Sequence, residues 1–195
     1  MNNTFNPKVS VMLCTNRIDE YLDLALQSIE NQTLYEIEII IIDDCSSFDV
    51  KDYLDGILGN EVQSFIRVIR NALSFGPSAS RNIGARVSRG DYVAFLDSDD
   101  YWDPEKLHKQ IERFVTDPGL DLVYCDQILV KNGVGYPSGK KMIQEGIMQE
   151  LLEGWTAPNP STLVFKKESF FDLGGFDEQL SASEDHEMWF RIAYY

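Results

Sequence analysis

Little in this chain is suited to binding metals through sulfur, crossing a membrane or holding nucleic acid. Only three of its 195 residues are cysteine (Cys14, Cys45 and Cys125), widely spaced and with no C-x-x-C pair among them. That excludes a thiolate zinc site and a disulfide framework, and predicts buried free thiols in a reducing compartment. No stretch approaches the roughly 18 consecutive apolar residues of a membrane span. The N-terminal MNNTFNPKVSVML has neither the basic start nor the long apolar run of a signal peptide. A cytoplasmic location is the expectation, and the sequons at Asn2 and Asn31 are then chance matches. Basic residues are scarce: 17 Lys+Arg face 32 Asp+Glu, for a formal charge of −15. Such a surface repels nucleic acid and anionic lipid headgroups. No internal repeat or low-complexity tract is present. A superficial P-loop at Gly133–Lys141 fails on spacing and on Lys141, which stands where Ser or Thr is needed.

What remains is the composition of one α/β domain, 44% hydrophobic and long enough to bury a core. From Lys8 to about Leu129, short β-rich runs alternate with helical patterns, the signature of βαβ units on a parallel sheet. Strands are predicted at Val9–Cys14, Glu36–Ile42, Phe65–Ile69, Tyr92–Leu96 and Leu120–Val130. The isoleucine run in the second implies burial on both faces. Helices are predicted at Asp19–Asn31, with Tyr21, Leu22, Ala25, Leu26 and Ile29 on one face, and more weakly at Phe48–Leu58. Two more follow at Gly76–Ser88 and Pro104–Val115; Pro77 suits a first helical position, where its missing N–H costs nothing. After Lys131 the character shifts. Asn132–Lys141 reads as a loop or hairpin, Ile143–Leu152 as a short helix, Thr162–Phe165 as a strand and Gly174-Gly175 as a turn. Ser183–Tyr195 starts a helix with Met188, Trp189, Ile192 and Ala193 on its apolar face. It stops without a cap or breaker, so the natural protein is expected to continue past Tyr195.

Chemistry concentrates where strands end. Phe95-Leu96-Asp97-Ser98-Asp99-Asp100 delivers three carboxylates at the tip of a buried strand, the place where open α/β sheets bind ligands. Carboxylates this close repel one another unless a cation holds them. Mg²⁺ or Mn²⁺ suits them, since each takes one or two carboxylates plus substrate phosphates. The plainer reading is an acidic turn capping the next helix, with Asp103 as its N-cap. A second pair, Asp43-Asp44, ends the second strand, and Thr15-Asn16-Arg17 ends the first. Arg81-Asn82 lies in the helix leading to the D-x-D strand, where a guanidinium could meet a phosphate. Ser183-Glu184-Asp185-His186 opens the last helix; a carboxylate there is either an N-terminal dipole contact or a general base. Trp155 could line a sugar pocket or simply pack, and His186 could touch phosphate or metal or stay solvated.

Taken together, Val9–Arg17, Ile39–Ser47, Gly76–Ala85 (GPSASRNIGA), Gly90–Asp100 (GDYVAFLDSDD), Gly174–Glu178 and Glu184-Asp185 resemble a family 2 glycosyltransferase of the GT-A fold, over nearly all 195 residues. The resemblance implies a Rossmann-like, mostly parallel sheet flanked by helices, with residues 1–130 as a nucleotide-sugar-binding half and 131–195 as a smaller mixed acceptor-side half. It also implies an enzyme that moves a sugar, with inversion, from a nucleoside-diphosphate donor, most commonly a uridine diphosphate sugar, to a glycan or lipid-linked acceptor. Thr15, Asn16, Arg17, Asp43 and Asp44 would hold the donor's base and ribose side, and Arg81 the base or diphosphate. Asp97 and Ser98 would hold sugar or ribose, Asp99 would bind Mn²⁺ or Mg²⁺, and Asp185, beside Glu184, would be the base. Trp155 and His186 would face the acceptor. Peripheral membrane attachment, if any, would come through a region outside this chain. Cys45 stands where the family has glycine. The rival readings are a sugar-phosphate nucleotidyltransferase, which would want a Gly-rich basic loop after the first strand, and a non-catalytic nucleotide-sugar-binding module. An early-Asp phosphatase would need its D-x-D near the N-terminus.

Overall fold

The computed structural model describes residues 6–57, 66–138, 147–154 and 158–195. In chain order the elements are β1 (Val9–Thr15), α1 (Glu20–Glu30), β2 (Ile37–Asp43), α2 (Val50–Ile57), β3 (Ile66–Arg70), α3 (Gly76–Val87), β4 (Tyr92–Asp97) and α4 (Lys106–Thr116). They continue with β5 (Leu122–Tyr124), β6 (Ile128–Lys131), β7 (Val134–Pro137), α5 (Ile147–Leu152), β8 (Leu163–Lys166), α6 (Lys167–Asp172) and α7 (Glu184–Tyr194).

Six strands form one sheet in the order β3-β2-β1-β4-β8-β5. The first four are parallel, and β8 runs antiparallel to both β4 and β5. Both faces are apolar, as the isoleucine run requires: all seven residues of β2 are buried. Val9, Val11, Leu13, Ile39 and Ile41 face a core shared with α1, α2 and α4. Met12, Ile40, Ile42 and Phe95 face the other, built from α3, α5, α6 and α7. Gly84 lets α3 approach closely, because a Cβ there would collide with the Met12 side chain. The strand order turns back between β1 and β4, so the sheet's crevice opens between their carboxyl ends.

Local signals explain most boundaries. Asp19 caps α1 by accepting the N–H groups of Tyr21 and Leu22. Asp103 caps only the turn ahead of α4, accepting the Glu105 N–H at 3.0 Å. Three expectations need correction. Tyr21 is 48% exposed and leaves the α1 face to Leu22, Ala25, Leu26 and Ile29. The run Leu120–Val130 is two strands: β5 joins the sheet, whereas β6 pairs only with β7. Asn132 and Gly133, with φ of 52° and 73°, form the tight turn of that hairpin. Of the thiols, only Cys14 and Cys125 are partly buried; Cys45 is exposed. Among the described residues no helix is long and apolar enough to cross a membrane.

Candidate active site

Register places the strand tips side by side: Thr15 pairs with Asp43, and Cys14 with Asp97. Thr15 is buried; its hydroxyl donates to the Arg17 carbonyl at 2.6 Å and accepts the Arg17 N–H at 3.2 Å. This turn leaves Asn16 and Arg17 exposed at the crevice mouth. Arg17 pairs with Asp19 at 2.7 Å and reaches to 3.7 Å from Asp99.

The first acidic pair is occupied by its own loops. Asp43 is fully buried, accepting the Ser46 N–H at 2.8 Å and an Arg70 N–H at 3.0 Å. Asp44 accepts four donors: Asn71 Nδ2, Ser74 Oγ and the N–H groups of Phe75 and Gly76, all at 2.8–2.9 Å. Burial opposes its charge, but these hydrogen bonds outweigh burial and hold its carboxyl below the usual range. Asp44 thereby ties the loop that opens α3 to the tip of β2. Next to it Cys45 has φ 63°, a left-handed conformation that costs a side chain and suits glycine.

The second cluster is graded from buried to open. The Asp97 N–H donates to Ser161 Oγ at 3.1 Å, and its carboxylate meets Arg81 at 2.6 Å. Asp100 accepts from Asn159 at 2.9 Å. Burial, and after it the Asp97 and Asp99 charges, push its carboxyl up against the pull of Ser161 and Asn159. Ser98 is half-buried. The Asp99 side chain is 62% exposed, with Arg17 3.7 Å away.

Arg81 joins this cluster to the last helix. It is 4% exposed and bridges Asp97 to Glu184, at 2.6 Å and 2.9 Å. Its guanidinium lies 5.1 Å from the centre of the Phe176 ring. Phe176 is in turn held by Asn82, which accepts its N–H at 2.9 Å and donates to its carbonyl at 2.8 Å. That close approach is why position 175 is glycine, with φ 70°: a Cβ would sit 2.7 Å from Asn82 Oδ1. Asp185, one residue on, lies 3.2 Å from the His186 ring nitrogen Nδ1. The Trp189 indole N–H donates to Pro158 O at 3.0 Å, docking α7 on the segment that carries Asn159 and Ser161. Trp155 lies outside the described residues.

Among the described residues no three metal-capable side chains gather into a cage. The donor set nevertheless suits a Mg²⁺ or Mn²⁺ carried in on a diphosphate, which needs only one or two protein carboxylates. Asp99 is open for that role, whereas Asp97 and Asp100 already have protein partners. Sequence reasoning did not single out Arg70, Asn71 or Ser161. Arg70 closes a strand beside Asp43, and neither Asn71 nor Ser161 carries a local motif.

Similarity to known proteins accords with this geometry. The family model Glycosyl transferase family 2 matches residues 10–172. An "Uncharacterized glycosyltransferase" of Haemophilus influenzae is 31% identical over 86% of this chain and 55% of its own. The Escherichia coli UDP-Glc:alpha-D-GlcNAc-diphosphoundecaprenol beta-1,3-glucosyltransferase WfaP is 35% identical over 56% of this chain and 42% of its own. S. aureus TarS 1-349 in complex with UDP superposes with TM-score 0.73 at 23% identity, over 93% of this chain and 54% of its own. The Pyrobaculum calidifontis mannosyltransferase PcManGT, in complex with GDP-Man and Mn²⁺, gives 0.65 at 19%, over 94% and 51%. Both structures share the GT-A fold with this chain, which spans about half the length of the curated relatives it matches.

Proposed function

The chain belongs to glycosyl transferase family 2, and on that premise we propose that it transfers a sugar from a nucleoside diphosphate, with uridine as the base, to a glycan or lipid-linked acceptor. The TarS complex with UDP and the UDP-Glc donor and diphosphoundecaprenol acceptor in the WfaP name support that substrate class. The observation that carries the reading is the Arg81 bridge. It ties Asp97, at the tip of β4 two residues before the open Asp99, to Glu184, at the start of α7 next to Asp185.

In this reading Thr15, Asn16 and Arg17 receive the base and ribose side of the donor, on a rim whose shape Asp43 and Asp44 fix through their hydrogen bonds. Arg17, exposed beside Asp99, supplies positive charge toward the diphosphate in a domain of net charge −15. Asp99 would hold the Mn²⁺ or Mg²⁺, which when bound stabilises negative charge on the departing diphosphate; the Mn²⁺ in PcManGT supports it. Ser98 and Asp97 line the sugar side. Asp185 accepts the proton of the acceptor hydroxyl as that oxygen attacks the anomeric carbon opposite the diphosphate, so configuration inverts. His186, 3.2 Å away, orients that carboxylate, and the acceptor role is assigned to Trp155 from the sequence alone. Residues 1–130 carry the donor contacts and residues 131–195 the acceptor contacts. The protein works in the cytoplasm, at the inner face of a membrane if the acceptor is lipid-linked.

The test is Asp185→Asn, scored by nucleoside diphosphate release from UDP-sugars with Mn²⁺. Turnover should fall about 10²-fold or more with donor affinity little changed. Undiminished turnover would reduce Asp185 to a helix-end carboxylate.

A further inference from the structure

Arg81 spends both terminal nitrogens on carboxylates of the protein itself. It is 4% exposed, and its two terminal nitrogens each hold a carboxylate: Nη2 binds Asp97 at 2.6 Å and Nη1 binds Glu184 at 2.9 Å. Its Nε–H is buried with no hydrogen-bond partner among the described residues. Phe176 packs beneath the guanidinium plane, and the Asn82 contacts hold Phe176 in place. Burial works against the charge, but Asp97 and Glu184 outweigh it and fix the guanidinium as a cation. A planar fork with donors on separate arms can hold two carboxylates from different elements at a set spacing, which an ammonium cannot do. Its partners here lie 16 and 103 residues away in sequence, so the fork is the polar bond between the D-x-D strand and α7. The first residue of α7 is Glu184, and its N-cap, Ser183, makes no side-chain capping hydrogen bond and has φ 62°. The start of that helix is therefore fixed from outside, by Arg81, and not by its own cap.

We infer that Arg81 is a positioning residue: it does not bind the donor but, through Glu184, aims the Asp185 carboxylate at the reacting centre while holding Asp97 at the same spacing. The inference rests on Asp185 being the base. Arg81 and Glu184 then act as one device, and loosening either end lets Asp185 drift by a fraction of a helical turn. A donor contact would behave differently, since its loss weakens donor binding first.

The experiment uses the full-length protein, Mn²⁺ and UDP-sugars, with kcat and donor KM from UDP release and donor stoichiometry from calorimetry. The variants are Arg81→Lys, Glu184→Ala, Glu184→Gln, the double Arg81→Lys/Glu184→Ala, and Asp185→Asn. Arg81→Lys and Glu184→Ala should each lower kcat by about 10²-fold, with donor KM within about twofold of the parent and one donor still bound per folded chain. Glu184→Gln, which keeps an acceptor oxygen for the fork, should recover part of the loss. The double variant should be no slower than the worse single one, because the two share one contact. Additive losses, or a higher donor KM in Arg81→Lys with an unaffected Glu184→Ala, would overturn the inference. Asp185→Asn separates the two readings. If it keeps full turnover, the base assignment fails; if it loses turnover while Arg81→Lys and Glu184→Ala do not, only the positioning role fails.

Discussion

Lys106, in the first turn of α4, is buried to 8% exposure. Its ammonium lies 4.2 Å from the centre of the Trp102 ring and donates to Gln110 Oε1 at 2.7 Å. Burial lowers its pKa from 10.5 to about 8, the nearby Cys125 opposing slightly. At about 1.4 kcal/mol per factor of ten in proton affinity, keeping this lysine charged costs the folded state roughly 3 kcal/mol. The Trp102 ring returns about 1–2 kcal/mol of that by cation–π attraction. Below pH 8 both folded and unfolded chains carry the proton, and the cost is felt in full. Between pH 8 and 10.5 the unfolded chain binds more protons, so this residue's contribution becomes more favourable as pH rises. Lys106→Met should therefore stabilise the protein by about 1–2 kcal/mol at pH 7, and most of that advantage should vanish by pH 10.5. Urea unfolding of both proteins across this range, followed by circular dichroism, gives the difference. Subtracting one curve from the other cancels Cys14, pushed up to about 12 by burial, and Tyr53, pushed up to about 12 by its Asp23 hydrogen bond. Those two slope the opposite way. A difference that stays flat with pH, or a Met variant less stable at pH 7 than its parent, would refute the reasoning.

Asp99→Ala should abolish Mn²⁺-dependent UDP release while leaving the melting temperature unchanged, because its side chain is 62% exposed; retained metal-stimulated turnover would remove it as the ligand. Asp44→Ala should cost about 2–4 kcal/mol by leaving buried donors unpaired, measured by urea unfolding at pH 7. Because the Asp44 carboxyl titrates below its unfolded value, its contribution is present above about pH 4 and lost as pH falls further, so parent and variant should converge in acid. Cys45→Gly should raise stability by up to about 1 kcal/mol, as glycine removes the left-handed strain and returns part of that gain to unfolded-state entropy; a lower melting temperature would contradict the φ of 63°.

The sheet was legible because β1, β2 and β4 are short, mostly apolar runs ending in polar residues, and a strand buried on both faces can hardly read otherwise. The break inside Leu120–Val130 falls at Cys125-Asp126-Gln127, an interruption too short to read as the end of one strand and the start of another. Thr15, Asp43 and Asp97 stood out as strand tips, and register then made them neighbours. Arg81 stood out as a cation near the site, but its burial could not be read. On a helix surface the useful partners lie three or four residues away, and those of Arg81 lie in other elements. Asp44 was visible as an acid, whereas the four donors that occupy it come from residues 71–76, which carry no recognisable pattern. Asn159 and Ser161 carry no local motif, and only packing shows them supporting Asp100 and Asp97.

The arrival of β8 between β4 and β5 has a consequence for how the molecule is made. On the ribosome, residues 9–97 can lay down four parallel strands in turn, yet the outer edge of β4 then stays bare. Its backbone finds a partner only when Leu163–Lys166 has emerged, and β5, made well before it at Leu122–Tyr124, has no place in the sheet until that moment. The strand that presents Asp97 and Asp99 is thus finished last, by a segment near the far end of this chain. A nascent chain halted before position 166 would display an unpaired β edge, which is both an invitation to aggregate and a handle for a chaperone.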